Sequence, residues 1–194
     1  VEDFMLLANE TVARFGSAVH KDKKAMPFVY RIHDKPDPAK LEMFSAVASR
    51  FGYKIIFDEP EQASAVFNTL LKKVVGKPEQ DVLETMAIRS MAKAEYTTGN
   101  IGHYGLAMEY YTHFTSPIRR YPDVLVHRLL EQYLSGDFKV DAEALEEQCK
   151  HSTAMEIRAA EAERTSVKYK QVEFLQDKIG EEFDGIISGV TEWG

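Results

Sequence analysis

The chain has 194 residues, 44% of them hydrophobic, a formal net charge of −7 and one cysteine, Cys149. That length buries a real core as one large or two small domains, while the lone cysteine excludes an internal disulfide and points to a reducing, cytoplasmic setting. No apolar run reaches membrane-spanning length, and the acidic balance argues against a non-specific polyanion binder but not against a nucleic-acid channel, which is decided by local basic clusters.

Residues 2–19 read as an amphipathic helix with Phe4, Leu7, Val12 and Phe15 near helical spacing and Glu2 and Asp3 in the favourable first turn. FVYRIHD (28–34) alternates as a short strand. Asp37 is a good N-cap and Pro38 a good first residue for a helix that runs to about Phe51, with Gly52 just past its end. YKIIF (53–57) predicts a second strand. A helix over 61–75 carries Val66, Leu70 and Val74 on one face and ends at Gly76. Pro78 opens the next helix, through about Ala94, with Val82, Met86 and Met91 as core candidates. Residues 94–117 combine glycines, aromatics and two histidines without a helical period, which predicts loop and strand beside a site. A helix then runs to Leu134. Asp141 caps a short helix to about Lys150, and Thr153 with Glu156 fits a capping box that starts another, to about Lys178. Residues 183–193 return to strand-like alternation. The sum is a helix-rich α+β chain with no internal repeat.

The first residues, VEDFMLLANET, lack an initiator Met and the features of a secretory signal. The last, GVTEWG, stop as a strand pattern begins. A fragment of a longer chain is expected.

The segment HFTSPIRRYPDV (113–124) sets two arginines between two prolines. Either Thr115 or Ser116 caps a helix from Pro117 that Pro122 then kinks, or 115–121 is a turn and the helix starts at Pro122 with Asp123 in its first turn. In both cases a helix entrance with free backbone N–H groups, hydroxyls and Arg119 suits an anion, and Arg matches phosphate oxygens with a bidentate fork. The ordinary alternative is that one arginine pairs with Asp123 or a distant carboxylate while the other is solvated. On a continuous helix Arg119, Arg120 and His127 share a flank. The histidines lack the i, i+4 spacing of zinc motifs and have no cysteine pair, so each is more simply a hydrogen-bonded core histidine. GNIGHYG (99–105) has neither the spacing nor the context of a dinucleotide turn.

The run GHYGLAMEYYTHFTSPIRRYPDVLVHRLL (102–130) resembles the closing signature of the catalytic domain in the ribonuclease R / ribonuclease II (RNB) family of processive 3′-to-5′ exoribonucleases. VEDFMLLANETVA (1–13) looks like a helix from the middle of that domain. YRIHDKPDPAKLE (30–42) is similar to the segment after it, and residues 161–194 resemble the domain's end and the first strand of an S1 RNA-binding domain. The resemblance implies the second half of a catalytic domain over 1–180 and a truncated S1 segment over 181–194. It implies a parent enzyme that hydrolyses RNA from a single-stranded 3′ end to 5′-mononucleotides, with two magnesium ions held by aspartates of the first half. No such cluster exists here, so no metal ligand is expected in these residues and the fragment alone is expected to be inactive.

The resemblance also assigns residues. Arg119, the first arginine of SPIR, matches a catalytic arginine that holds a phosphate. Arg120 is its RNA-binding neighbour, needing only a positive charge. Thr115 and Ser116 donate to backbone phosphates, and His103 and Tyr104 border the RNA channel. Glu2 matches an acid near the terminal nucleotides. Glu161 or Glu163 matches a late acid, with the register between them open. Trp193 starts an S1 stacking platform. Half a domain also exposes apolar surface, which a dimer or crystal contact is expected to cover. The competing expectation is a non-catalytic helical module that binds RNA or protein.

Overall fold

The computed structural model describes residues 1–21, 24–57, 59 and 62–185. They fall into two units, one built from Val1–Asp34 and Ala94–Ile179, the other around Lys35–Lys93.

Helix α1 (Glu2–Ala18) begins the first unit with both acids in its first turn. Its buried residues are Asn9, Ala13 and Gly16, a small-residue stripe at i, i+4, i+7. Phe4 and Leu7, expected in the core, are 75% and 58% exposed. The face that packs is the one that lets the helix approach closest. A Cβ on Gly16 would overlap the ring of the fully buried Phe28. Strands β1 (His20–Lys21) and β2 (Lys24–Ala25) pair antiparallel. Strand β3 (Tyr30–Ile32) then pairs antiparallel with β4 (Glu95–Thr97), setting Arg31 opposite Tyr96. The pleat buries Tyr30 and Ile32 and turns Arg31 to the other face.

Helix α5 (Tyr121–Leu134) starts with Pro122 in its first turn and follows a turn over 117–119, so the helix begins at the second proline and not at Pro117. It buries Leu125, Val126, Leu129 and Tyr133 against Phe28, Val29 and Tyr30. The Tyr133 hydroxyl donates to the Pro27 carbonyl.

Helix α6 is continuous from Ala142 to Gln176, capped by the Asp141 side chain, which accepts from Ala144 N at 3.0 Å. The sequence predicts two helices here, because Thr153 and Glu156 match a capping box. Both side chains serve other partners. Thr153 Oγ1 accepts from Tyr96 N at 2.9 Å, and Glu156 pairs with Arg31. With no competing cap, the helix continues. Its first turns bury Leu145, Cys149 and Ser152, and Glu146 accepts from Thr97 and Thr98.

In the second unit, Asp37 caps helix α2 (Pro38–Arg50) by accepting from Ala39 N at 2.9 Å, with Pro38 the first helical residue as predicted. Helix α3 (Ala63–Val74) and helix α4 (Gln80–Ser90) complete a three-helix core of Leu41, Phe44, Ala48, Phe67, Leu70, Val74, Leu83 and Ala87. The rings of Phe44 and Phe67 meet edge to face at 4.9 Å. Residues 53–57 are not a strand. Tyr53, Ile55 and Phe57 pack on the helices and Ile56 is exposed, so the period-2 pattern is real, but no neighbouring strand completes a ladder. Helix α4 starts two residues after Pro78 and stops before Ala94, shorter than predicted.

Glycines Gly52, Gly76, Gly136 and Gly180 take positive φ just past helix ends. Residues 181–185 carry neither helix nor strand, and most of the expected S1 segment, Trp193 included, lies outside the described residues.

The close approach at Gly16 gives a test. Gly16→Ala forces α1 away from Phe28 and lowers stability by about 2 kcal/mol, the scale of core overpacking and larger than the helix-propensity gain from Ala. Urea denaturation checks this; a variant as stable as the parent would rule out the tight packing.

Candidate functional site

The turn before α5 is held by Asn9 on one side and Asp123 on the other. Asn9, from α1, accepts from Phe114 N at 3.1 Å and Thr115 N at 3.3 Å through Oδ1, and donates to Tyr111 Oη at 3.1 Å. Asp123, in the first turn of α5, is fully buried. Its Oδ1 accepts from Ser116 N at 2.8 Å and from Arg120 Nη2 at 2.8 Å, and its Oδ2 accepts from Arg120 Nε at 2.9 Å. The carbonyl of Ser116 in turn accepts from Arg119 N and Arg120 N. The backbone amides of 114, 115, 116, 119 and 120 are therefore all engaged by the protein. The expected cradle of free N–H groups is absent at these positions, because Asn9, Asp123 and the Ser116 carbonyl fill it.

The two arginines part company. Arg120 is a buried-pair residue, its fork closed on Asp123. That geometry needs a guanidinium, not merely a positive charge. Arg119 is exposed, and among the described residues no side-chain hydrogen bond or ion pair engages it. The hydroxyl of Thr115 is buried without a hydrogen-bond partner. His127 does not join the arginines: its ring stacks on Phe114 at 4.1 Å and Nε2 bonds the Phe114 carbonyl.

Beside this turn lies a line of rings. His33 and His103 are 5.0 Å apart, His103 and Tyr111 5.2 Å, Tyr111 and His113 5.7 Å, and Tyr96 and His113 5.6 Å. Tyr96 Oη bonds His113 Nδ1 at 2.7 Å. Arg31 lies over the Tyr96 ring at 4.5 Å and forks onto Glu156 with bonds of 2.6 and 3.0 Å. The other end of the line is a single 3₁₀ turn, Tyr104–Leu106. His33 Nδ1 accepts from Gly105 N at 2.9 Å, and a Cβ on Gly105 would sit 2.7 Å from that nitrogen. His103 Nδ1 accepts from Leu106 N at 3.2 Å. Both imidazoles thus present a lone pair at Nδ1 to the backbone.

Burial holds the His103 and His113 rings neutral. Desolvation, then the nearby Arg120 and Arg31 charges, push His113 from 6.5 down to about 3. Desolvation, then His33 and Arg31, push His103 to about 4. Burial raises the Tyr96 hydroxyl to about 12. Inside the cluster, then, each arginine has its acid: Arg31 has Glu156 and Arg120 has Asp123. Arg119, on the same turn, carries charge outward.

The remaining candidates are dispersed. Glu2 is exposed on α1, two turns before Asn9 on the same face. Glu161 and Glu163 are exposed on α6, beyond Glu156. The structure brings Arg119, Arg120, Thr115 and Ser116 into one turn, and His103 and Tyr104 into the adjoining ring line. Residues the sequence analysis did not single out for a site are Asn9, Arg31, Tyr96 and Glu156, whereas its ordinary alternative for the arginine pair, one arginine on Asp123 and the other solvated, is what Arg120 and Arg119 show. Among the described residues no three His, Cys, Asp or Glu side chains converge to hold a metal ion.

The sequence profile of the RNB domain matches residues 1–136. The chain belongs to the RNB family. Over its whole length it is 44% identical to ribonuclease R 1 of Lactococcus lactis, of which it spans 24%. It superposes with a TM-score of 0.85 on Mycoplasma genitalium RNase R in complex with ribose-methylated single-stranded RNA, at 30% identity, covering all of this chain and 30% of that one. The same enzyme in complex with double-stranded RNA gives 0.83, with 97% of this chain and 34% of that chain covered. The chain thus spans about a quarter of the length of the curated relatives it matches, and its helix-rich α+β architecture is that of a partial RNB domain in the RNase R fold. No helix among the described residues is long and apolar enough to cross a membrane.

The depressed histidines fix a pH window. Above about pH 6.5 the rings are neutral in both folded and unfolded chain and cost nothing. As pH falls below 6.5 the unfolded chain takes up protons that the folded one refuses, so stability drops until the folded values of about 4 and about 3 are passed. The urea midpoint is expected to be flat from pH 8 to 7 and to decline from pH 6.5 to 4.5, before most carboxylates titrate. A midpoint unchanged down to pH 5 would mean that His103 and His113 are not held neutral.

Proposed function

We propose that the chain is the second half of an RNB catalytic domain (1–180) followed by the start of an S1 domain (181–194), within a processive 3′-to-5′ exoribonuclease that degrades RNA from a single-stranded 3′ end to 5′-mononucleotides in the cytoplasm. The observation that carries this is the state of Arg119. It is the exposed, uncompensated cation on a turn whose amides at 114, 115, 116, 119 and 120 and whose other arginine are internally satisfied, in a chain of the RNB family. A guanidinium fixed at its backbone and open at its tip meets a phosphodiester with a bidentate fork and offsets the charge that builds there during cleavage.

The other residues follow from that role. Arg120 supports the turn through Asp123. Ser116 keeps a hydroxyl near the strand, and Thr115 has a buried hydroxyl that would have to turn outward to join it. His103 and Tyr104 border the strand as a neutral ring and a phenol, suited to stacking and to hydrogen bonding without repelling bases. Glu2 and one of Glu161 and Glu163 contact the RNA from the two long helices. Magnesium, which activates water in such hydrolysis, is held in the full-length enzyme by carboxylates outside these residues. The exposed Phe4 and Leu7 on α1 are surface that the rest of the domain covers; in the isolated chain they favour self-association.

Two measurements test the proposal. The isolated chain is expected to release no mononucleotides from RNA with magnesium, and robust activity would mean that the catalytic carboxylates lie within it. In the full-length enzyme, Arg119→Ala is expected to lower turnover by about 10²-fold or more while RNA affinity falls less than about tenfold. Small and equal losses in both would remove Arg119 from the phosphate.

A further inference from the structure

The Asp123 carboxylate is a charge that the fold has taken completely out of water. Burying an ion is costly unless it is paired and its lone pairs are used. Asp123 uses them on one turn: Ser116 N and both ends of the Arg120 fork. Ser116 is then gripped on both sides. Its amide hydrogen goes to Asp123, and its carbonyl accepts the amides of Arg119 and Arg120 at 3.3 and 3.2 Å. Pro117, with its fixed φ, spans the short stretch between. The backbone of Arg119 therefore hangs from Ser116, and Ser116 hangs from Asp123. Position 119 has no side-chain anchor of its own among the described residues. Its direction is set by that two-link chain.

We propose that Asp123 is the positioning residue for Arg119, with Arg120 as the buried partner whose fork helps it hold the turn. This rests on the assignment of Arg119 to a phosphate. Asp123 touches no RNA. It fixes where the Arg119 guanidinium stands when the strand is bound, so its loss misplaces the cation without removing it. A small misplacement of a positioned group is felt in turnover more than in ground-state binding.

The test is a kinetic cycle in the full-length enzyme on a single-stranded oligonucleotide, with folding checked by circular dichroism. Asp123→Asn keeps the shape but gives up the charge and an acceptor. It is expected to lower kcat by roughly 10- to 100-fold with KM for RNA changed by less than about threefold. Combined with Arg119→Ala it is expected to cost nothing more than Arg119→Ala alone, because the two act through one guanidinium. Arg120→Lys keeps the charge and loses the fork, and is expected to lower kcat in the same direction with KM again nearly unchanged. That variant decides the matter if Asp123→Asn fails to fold. Full kcat in either folded single variant, a loss expressed in KM, or losses that multiply in the double variant would overturn the proposal. Wild-type turnover in Arg119→Ala would instead overturn the phosphate assignment itself.

Discussion

A carboxylate with no access to water must be satisfied where it stands, and Asp123 dictates the turn in front of α5 for that reason. Removing either partner of such a pair is destabilising on the scale of about 3–5 kcal/mol, because the remaining charge is left buried and alone. Asp123 is thus tied to Arg120 and to the amide of Ser116, and the chain between them has almost no freedom left. The helix contributes as well, since a negative side chain in its first turn meets the positive end of the backbone dipoles. What emerges from this internal neutralisation is one cation, Arg119, facing solvent on a rigid base. An acidic protein of net charge −7 needs no general positive surface to meet a polyanion if it has such a point of contact.

The surrounding packing serves the same end. Asn9 reaches across from α1 to hold the amides of Phe114 and Thr115, and the small-residue stripe of Ala13 and Gly16 lets α1 come close enough for it to do so. Arg31 and Glu156 join β3 to α6 over the face of Tyr96, and Tyr96 meets His113. Neutral histidines suit this interior: a protonated ring beside Arg31 and Arg120 would add a third positive charge where two already need counter-ions. The second unit, with its own core of phenylalanines and leucines on three helices, contributes none of these side chains.

Local signals in the sequence were legible where local physics decides. Asp37 and Pro38 start α2 as a cap and a first helical residue should. The glycines mark helix ends, and the two alternatives for residues 115–122 included the observed one. The signature around Arg119 also marked the family. What could not be read locally is what a distant partner decides. Thr153 and Glu156 spell a capping box, but Tyr96 N and Arg31 claim them. Phe4 and Leu7 are spaced like a core stripe, yet the helix packs through Asn9, Ala13 and Gly16. Residues 53–57 alternate like a strand without a strand beside them. Arg31, Asn9 and Tyr96 carry no local pattern that distinguishes them from ordinary surface or core, and only the fold shows that they meet.

The tie between Arg31 and Glu156 spans 125 positions of the chain, and that between Asn9 and Tyr111 spans 102. Contacts this remote in sequence are entropically late, since a long loop must close before they repay its ordering. On the ribosome, where the chain appears from its N-terminus, the polar centre stays open until α6 has emerged past Glu156. A nascent chain that already displays both arginines of the turn therefore still lacks the far wall of its own interior, which delays the finished site until most of this segment has been translated.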